Sequence, residues 1–153
     1  MSDEKRLTPD GEDRTTSVSL RRSTSRELDG LASIVVDSAL HVHRGLGPGL
    51  IESVYESVLK RDLERRGLTV DRQVDVSFEF DGMIFKEGLR VDLLVERALV
   101  LELKSTPGLS SIHFQQVLTY IRLLDTSLGL LLNFGAARLK DGCRRVVNGH
   151  VDS

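Results

Sequence analysis

Cysteine is nearly absent from this chain. Cys143 stands alone, so no internal disulfide can form, and a zinc site built on cysteines is excluded. A reducing cytoplasm is the compartment this suggests. Long apolar runs are missing too. No stretch approaches the roughly 18 residues that mark a membrane span, so no membrane association is expected. The opening MSDEKRLTPDGEDRTTSVSLRRSTSRE has no apolar core of the kind a secretory signal carries. Basic excess is also absent, since 21 Lys/Arg face 23 Asp/Glu and the formal net charge is −2. A protein that coats nucleic acid without preference usually carries a strong positive excess. Any such contact is therefore expected through a local patch. Arg44, Lys60, Arg61, Arg65, Arg66, Arg72 and Arg90 are the candidates.

What is present suits one soluble domain. The chain has 153 residues, 40% hydrophobic and 29% charged, enough for a sizeable core. Residues 1–25 are polar, without apolar periodicity, and are expected to form a disordered tail. A single domain is expected over 26–150. Ser25 is placed to cap a helix on which Leu28, Leu31, Ile34, Val35, Ala39 and Val42 recur at helical spacing. Gly45 is its expected stop, within the breaker cluster GLGPG at 45–49.

A second helix is predicted over 50–66, ended by Gly67. At about 100° per residue, Leu50, Ile51, Val54, Tyr55, Val58, Leu59 and Leu63 form one broad apolar face. Glu52 projects between the directions of Leu59 and Leu63, at the edge of that stripe. A buried, unpaired glutamate is rare, which marks it as a candidate.

After Gly67 the period changes to two. VDVSFEFDG, 74–82, alternates as a half-buried strand, and Asp81-Gly82 is a turn signal. Further strands are predicted at about 84–95 and 99–104, then a helix at 111–124. LGLLLNFG, 128–135, reads as a strand covered on both faces. A short last strand is expected at 144–147. The order gives an α/β fold, a mixed central sheet flanked by helices.

The segment VDLLVERALVLELKS, 91–105, reads as a buried hairpin, yet it carries Asp92, Glu102 and Lys104. Residues two apart on a strand share a face, so Glu102 and Lys104 point the same way, roughly 7 Å apart. If Asp92 pairs with Glu102, Leu93 meets Leu101, Val95 meets Leu99, and a three-residue loop remains at 96–98. Such loops are common in hairpins. Two carboxylates then stand one strand spacing apart with an amine beside them. They repel unless something positive lies between them. A divalent cation such as Mg²⁺ serves, since it takes oxygen ligands and keeps several waters. A lysine beside it can orient the attacking water and stabilise developing charge. This suits metal-assisted phosphodiester hydrolysis. The same spacing also fits a simple Glu102–Lys104 or Asp92–Lys104 ion pair at the sheet end.

GLIESVY at 49–55 follows the pattern G-x-x-E-x-x-Y. RVDLLVE, LVLELKS, QVLTY and GLLLNFGAARL follow it in order. Together these blocks resemble the GxxExxY family of the PD-(D/E)xK nuclease superfamily, over about residues 27–148. The resemblance implies a restriction-endonuclease-like core and a Mg²⁺- or Mn²⁺-dependent nuclease acting on DNA or RNA. It implies Asp92 and Glu102 as metal ligands, the Leu103 carbonyl as a third, and Glu52 as a helix-borne acid at the metal. Lys104 becomes the catalytic lysine. Gln116 and Tyr120 match the Q-x-x-x-Y motif of exonuclease-like branches. They lie four apart on one helix face, suited to holding substrate. Gly49 and Tyr55 complete the signature as structural residues. Small members of the superfamily often act as dimers, so a homodimer is compatible. The alternative is a non-catalytic module of this fold that binds nucleic acid or a protein partner.

Overall fold

The computed structural model describes residues 17–148. The first sixteen residues of the expected tail, and the end of the expected domain, lie outside that range. Ser17–Thr24 is described, and it lies against the sheet. Val18 bridges Val76, and the Arg21 backbone N–H donates to the Arg97 carbonyl at 2.6 Å.

Helix α1 spans Ser25–Leu46. Its cap is Thr24, one residue before the expected Ser25. The Thr24 hydroxyl accepts from the Glu27 N–H at 3.1 Å, and the Glu27 carboxylate accepts from the Thr24 N–H at 2.9 Å. This capping box needs the acid three residues on, which Thr24 has and Ser25 lacks. The helix ends at Gly47 rather than Gly45. Gly47 adopts φ 75°, and its N–H donates to the His43 carbonyl at 2.7 Å.

Helix α2 spans Glu52–Arg65. Leu50 and Ile51, expected on its buried face, precede it and are exposed. Their loop is tied to Tyr55, whose hydroxyl accepts from the Leu50 N–H at 3.2 Å and donates to the Gly47 carbonyl. Tyr55 is fully buried and stacked on Phe134, with ring centroids 4.5 Å apart. Gly49 holds φ 103° in the same loop. Gly49 and Tyr55 thus shape the entry to α2.

The strands are β1 (Val70–Asp75), β2 (Phe78–Phe80), β3 (Met83–Phe85), β4 (Arg90–Val95), β5 (Leu99–Lys104), β6 (Leu128–Asn133) and β7 (Cys143–Val147). Helix α3, Ser111–Leu123, joins β5 to β6, and a short α4, Leu139–Gly142, precedes β7. The main sheet has the order β1-β4-β5-β6-β7. The β5–β6 pair is parallel and the others are antiparallel. This is the mixed, helix-flanked sheet expected.

Two predicted strands are each broken. β2 and β3 leave the main sheet and pair only with each other, around an Asp81-Gly82 turn with φ 54° and 76°. Alternation assigns faces but not partners, so a strand that changes partner looks unbroken in sequence. The short α4 was not anticipated.

Both sheet faces are covered. On one face Leu28, Val35, Leu59 and Leu63 of α1 and α2 meet Leu99, Leu101 and Leu103. Each such buried leucine contributes about 1.5–3 kcal/mol. On the other, Val117 and Ile121 of α3 meet Leu131 and Val146. A Cβ at Gly129 would lie 2.9 Å from a Val117 methyl, so α3 sits close on β6. By the two-residue period, Asp92, Glu102 and Lys104 belong to the α3 side, with Leu94 and Val100. No described helix is long and apolar enough to cross a membrane.

Candidate active site

The β4–β5 hairpin carries the acids. Leu93 pairs with Leu101, Leu94 with Val100 and Val95 with Leu99. Positions 92 and 102 are therefore opposite, and 96–98 form the loop, as the spacing predicts. The ladder stops at Leu93–Leu101. Beyond it, the side chains take over as acceptors. The Asp92 carboxylate accepts from the Leu103 N–H at 2.8 Å, and the Glu102 carboxylate accepts from the Asp92 N–H at 3.2 Å. Each acid satisfies a backbone donor that the ladder leaves free.

Glu102 is only 3% exposed. Burial, then the charge of Asp92, pushes its carboxyl up to about 8, and the Lys104 charge partly opposes this. Asp92 is also raised, first by burial, with the charges of Glu56 and Glu52 adding. The Leu103 N–H and the Gln73 amide pull it back. Lys104 is half-buried. Among the described residues it makes no contact ion pair with either acid, so the simple sheet-end ion pair does not form.

Glu52 opens α2, where a negative charge is favoured by the helix dipole. Its charge adds, as the smallest contribution, to the rise at Asp92. One turn on is Glu56, 4% exposed and unforeseen from sequence. Arg72 Nε donates to it at 2.9 Å, and Gln73 Nε2 reaches its two oxygens at 3.1 and 3.0 Å. The E-x-x-x-E spacing of 52 and 56 puts both on one helix side and could have signalled it. Gln73 carries no such signal, since it stands just before the alternation that begins at Val74.

On α3, Gln116 Nε2 donates to the Tyr120 hydroxyl at 3.2 Å. Burial raises the Tyr120 hydroxyl, and the charges of Glu102 and Asp92 raise it further. Tyr120 packs against the cluster that contains Leu94 and Val100, on the sheet face of the carboxylates. His113 serves as a cap, its Nδ1 accepting from the Ser110 N–H at 3.1 Å. A cleft of about 710 Å³ borders the site, between Pro48–Glu52 and the Ser105–Pro107 loop.

The expected basic track is largely neutralised. Lys60 pairs with Glu64, Arg66 with Asp62 and Asp37, Arg72 with Glu56, and Arg90 with Asp75. Arg44, Arg61 and Arg65 remain exposed.

Among the described residues, no three His, Cys, Asp or Glu side chains stand at metal-ligand spacing. Asp92 and Glu102 are nonetheless two hard oxygen donors in direct juxtaposition. Burial first, and the charges of neighbouring acids after it, raise their proton affinity. A divalent ion that keeps several waters would offset those charges, so the donor set fits such an ion.

The family model of the PD-(D/E)XK nuclease superfamily matches residues 29–146. No curated protein and no solved structure matches the chain. The matched span contains the whole sheet to Val146, with the acid pair on its central hairpin. The chain belongs to the PD-(D/E)XK nuclease superfamily.

Proposed function

We propose that this protein is a divalent-metal-dependent nuclease that hydrolyses phosphodiester bonds in DNA or RNA. The observation that carries this is the buried Asp92–Glu102 pair, with Lys104 on the same sheet face. Nucleases of this superfamily usually use divalent metals. Asp92 and Glu102, with the Leu103 carbonyl, would hold Mg²⁺ or Mn²⁺, and Glu52 would stand beside them. A bound ion supplies positive charge to the phosphodiester and acidifies the attacking water. Lys104 orients that water and stabilises charge developing on the phosphate. Tyr120, steadied by Gln116, holds the substrate beside the carboxylates. The block beginning GLIESVY supports the narrower reading as a GxxExxY protein. The scarcity of cysteine supports a cytoplasmic setting, and a homodimer agrees with the habit of small relatives.

The test is cleavage of labelled single- and double-stranded DNA and RNA in Mg²⁺ and Mn²⁺, with Glu102→Ala and Lys104→Ala in parallel. Metal-dependent cleavage lost in both variants supports the reading. A folded wild type that cleaves none of these overturns it in favour of a non-catalytic binding module.

A further inference from the structure

Gln73 sits where the edge strand passes the acid pair. Arg72 pairs with Leu93 and Val74 with Val91, so position 73 stands opposite Asp92, yet that pair is missing from the ladder. The cause is local: Gln73 has φ 48°, in the left-handed region. A non-glycine residue keeps such a conformation only where its surroundings over-determine it, and such residues cluster at functional sites. Here the surroundings are specific. The Gln73 amide reaches both Glu56 oxygens and also Asp92 Oδ1, at 3.2 Å. Glu56 is itself buried and held by Arg72.

We infer that Gln73, anchored on Glu56, is a positioning residue for Asp92. Gln73 grips Oδ1 while the Leu103 N–H grips Oδ2, so the plane of the carboxylate is set at both ends. The inference rests on the reading of Asp92 as a metal ligand. Partners that orient a metal ligand are typically worth about 10–100-fold in metal affinity or activity. Glu56 has no contact with the metal in this scheme. It fixes the amide that fixes the ligand.

A purely structural role makes a different forecast. Gln73 would then be a tie between α2 and β1, and its loss would cost stability. Gln73→Gly separates the two. Glycine accepts φ 48° without strain, and that relief offsets its greater freedom in the unfolded chain. The variant also gives up the amide's bonds to the buried Glu56, so its Tm should fall only modestly, by roughly 2–8 °C. Its Mn²⁺ dissociation constant, measured by calorimetry on the full chain, should rise about 10–100-fold. In its crystal structure the Asp92 carboxylate should be turned, with the Leu103 bond kept. Unchanged Mn²⁺ affinity overturns the inference, as does a loss of affinity that tracks a large fall in Tm. If the wild type binds no Mn²⁺, the metal reading fails, and the crystal structure decides alone: an unmoved Asp92 carboxylate in Gln73→Gly overturns the positioning role, and a turned one upholds it.

Discussion

Asp92 and Glu102 hold each other's strands: the Asp92 carboxylate takes the Leu103 N–H at 2.8 Å, and the Glu102 carboxylate takes the N–H of Asp92 at 3.2 Å. The bonds that fix the acids also crowd their charges. Glu102 is raised from 4.5 to about 8, by burial first and by Asp92 second. A carboxyl raised on folding contributes stability below its unfolded value, and that contribution is lost as pH climbs through the folded one. The metal-free protein should therefore weaken between pH 4.5 and 8 on account of this group. Glu102→Gln removes the titration and keeps an acceptor for the Asp92 N–H. At pH 8 the variant should be more stable than wild type by roughly 2–4 kcal/mol, with little difference near pH 4.5. Urea unfolding in a chelator at both pH values checks this. Equal pH dependence in the two proteins would contradict it.

A cation and the Glu102 proton compete for one site. Mn²⁺ affinity should rise with pH up to about 8, by at most tenfold per unit for one displaced proton, and then level off. Calorimetry in buffers of different ionisation enthalpy counts that proton. Asp92→Ala should abolish binding at every pH.

Lys104→Ala tests the division of labour. Lys104 contributes charge near Glu102 without pairing with it. Cleavage should fall by about 10²–10⁴-fold, while Mn²⁺ still binds. Loss of both together would assign Lys104 to holding the acids instead.

Tyr55→Phe addresses the signature tyrosine. The ring would remain stacked on Phe134, but the Leu50 N–H and the Gly47 carbonyl would lose their partner. The expected loss is about 1–2 kcal/mol, measured by thermal unfolding. No loss would mean that water replaces the hydroxyl.

Gly135→Ala probes the wall of the cleft. A Cβ there would lie 2.3 Å from the Thr106 carbonyl oxygen and 2.5 Å from its nitrogen. Backbone cannot swing aside as a side chain can, so the loop after β5 must shift. A loss of roughly 2 kcal/mol or more is expected, with weaker substrate binding. Unchanged Tm and KM would show that the loop yields freely.

The sequence by itself determined the hairpin at the centre of the fold. Pairing Leu93 with Leu101 and Val95 with Leu99 leaves a three-residue loop at 96–98, a common hairpin length, and that is the register found. That register necessarily set Asp92 opposite Glu102 and Lys104 on the same face. Helical spacing likewise carried Gln116 and Tyr120 to one side of α3. Tertiary structure alone decided how the acids are supported. Glu56, Arg72 and Gln73 meet because α2 packs beside β1, and no local pattern encodes that approach. Nor does a glutamine announce φ 48°, a conformation imposed by contacts on both of its sides. The broken strands have the same origin, since alternation is blind to which neighbour a strand will find. The neutralised basic track shares it in part. Lys60–Glu64 and Arg66–Asp62 stand four apart on α2 and its C-cap and follow from helical spacing, whereas Arg66–Asp37, Arg72–Glu56 and Arg90–Asp75 form only on folding.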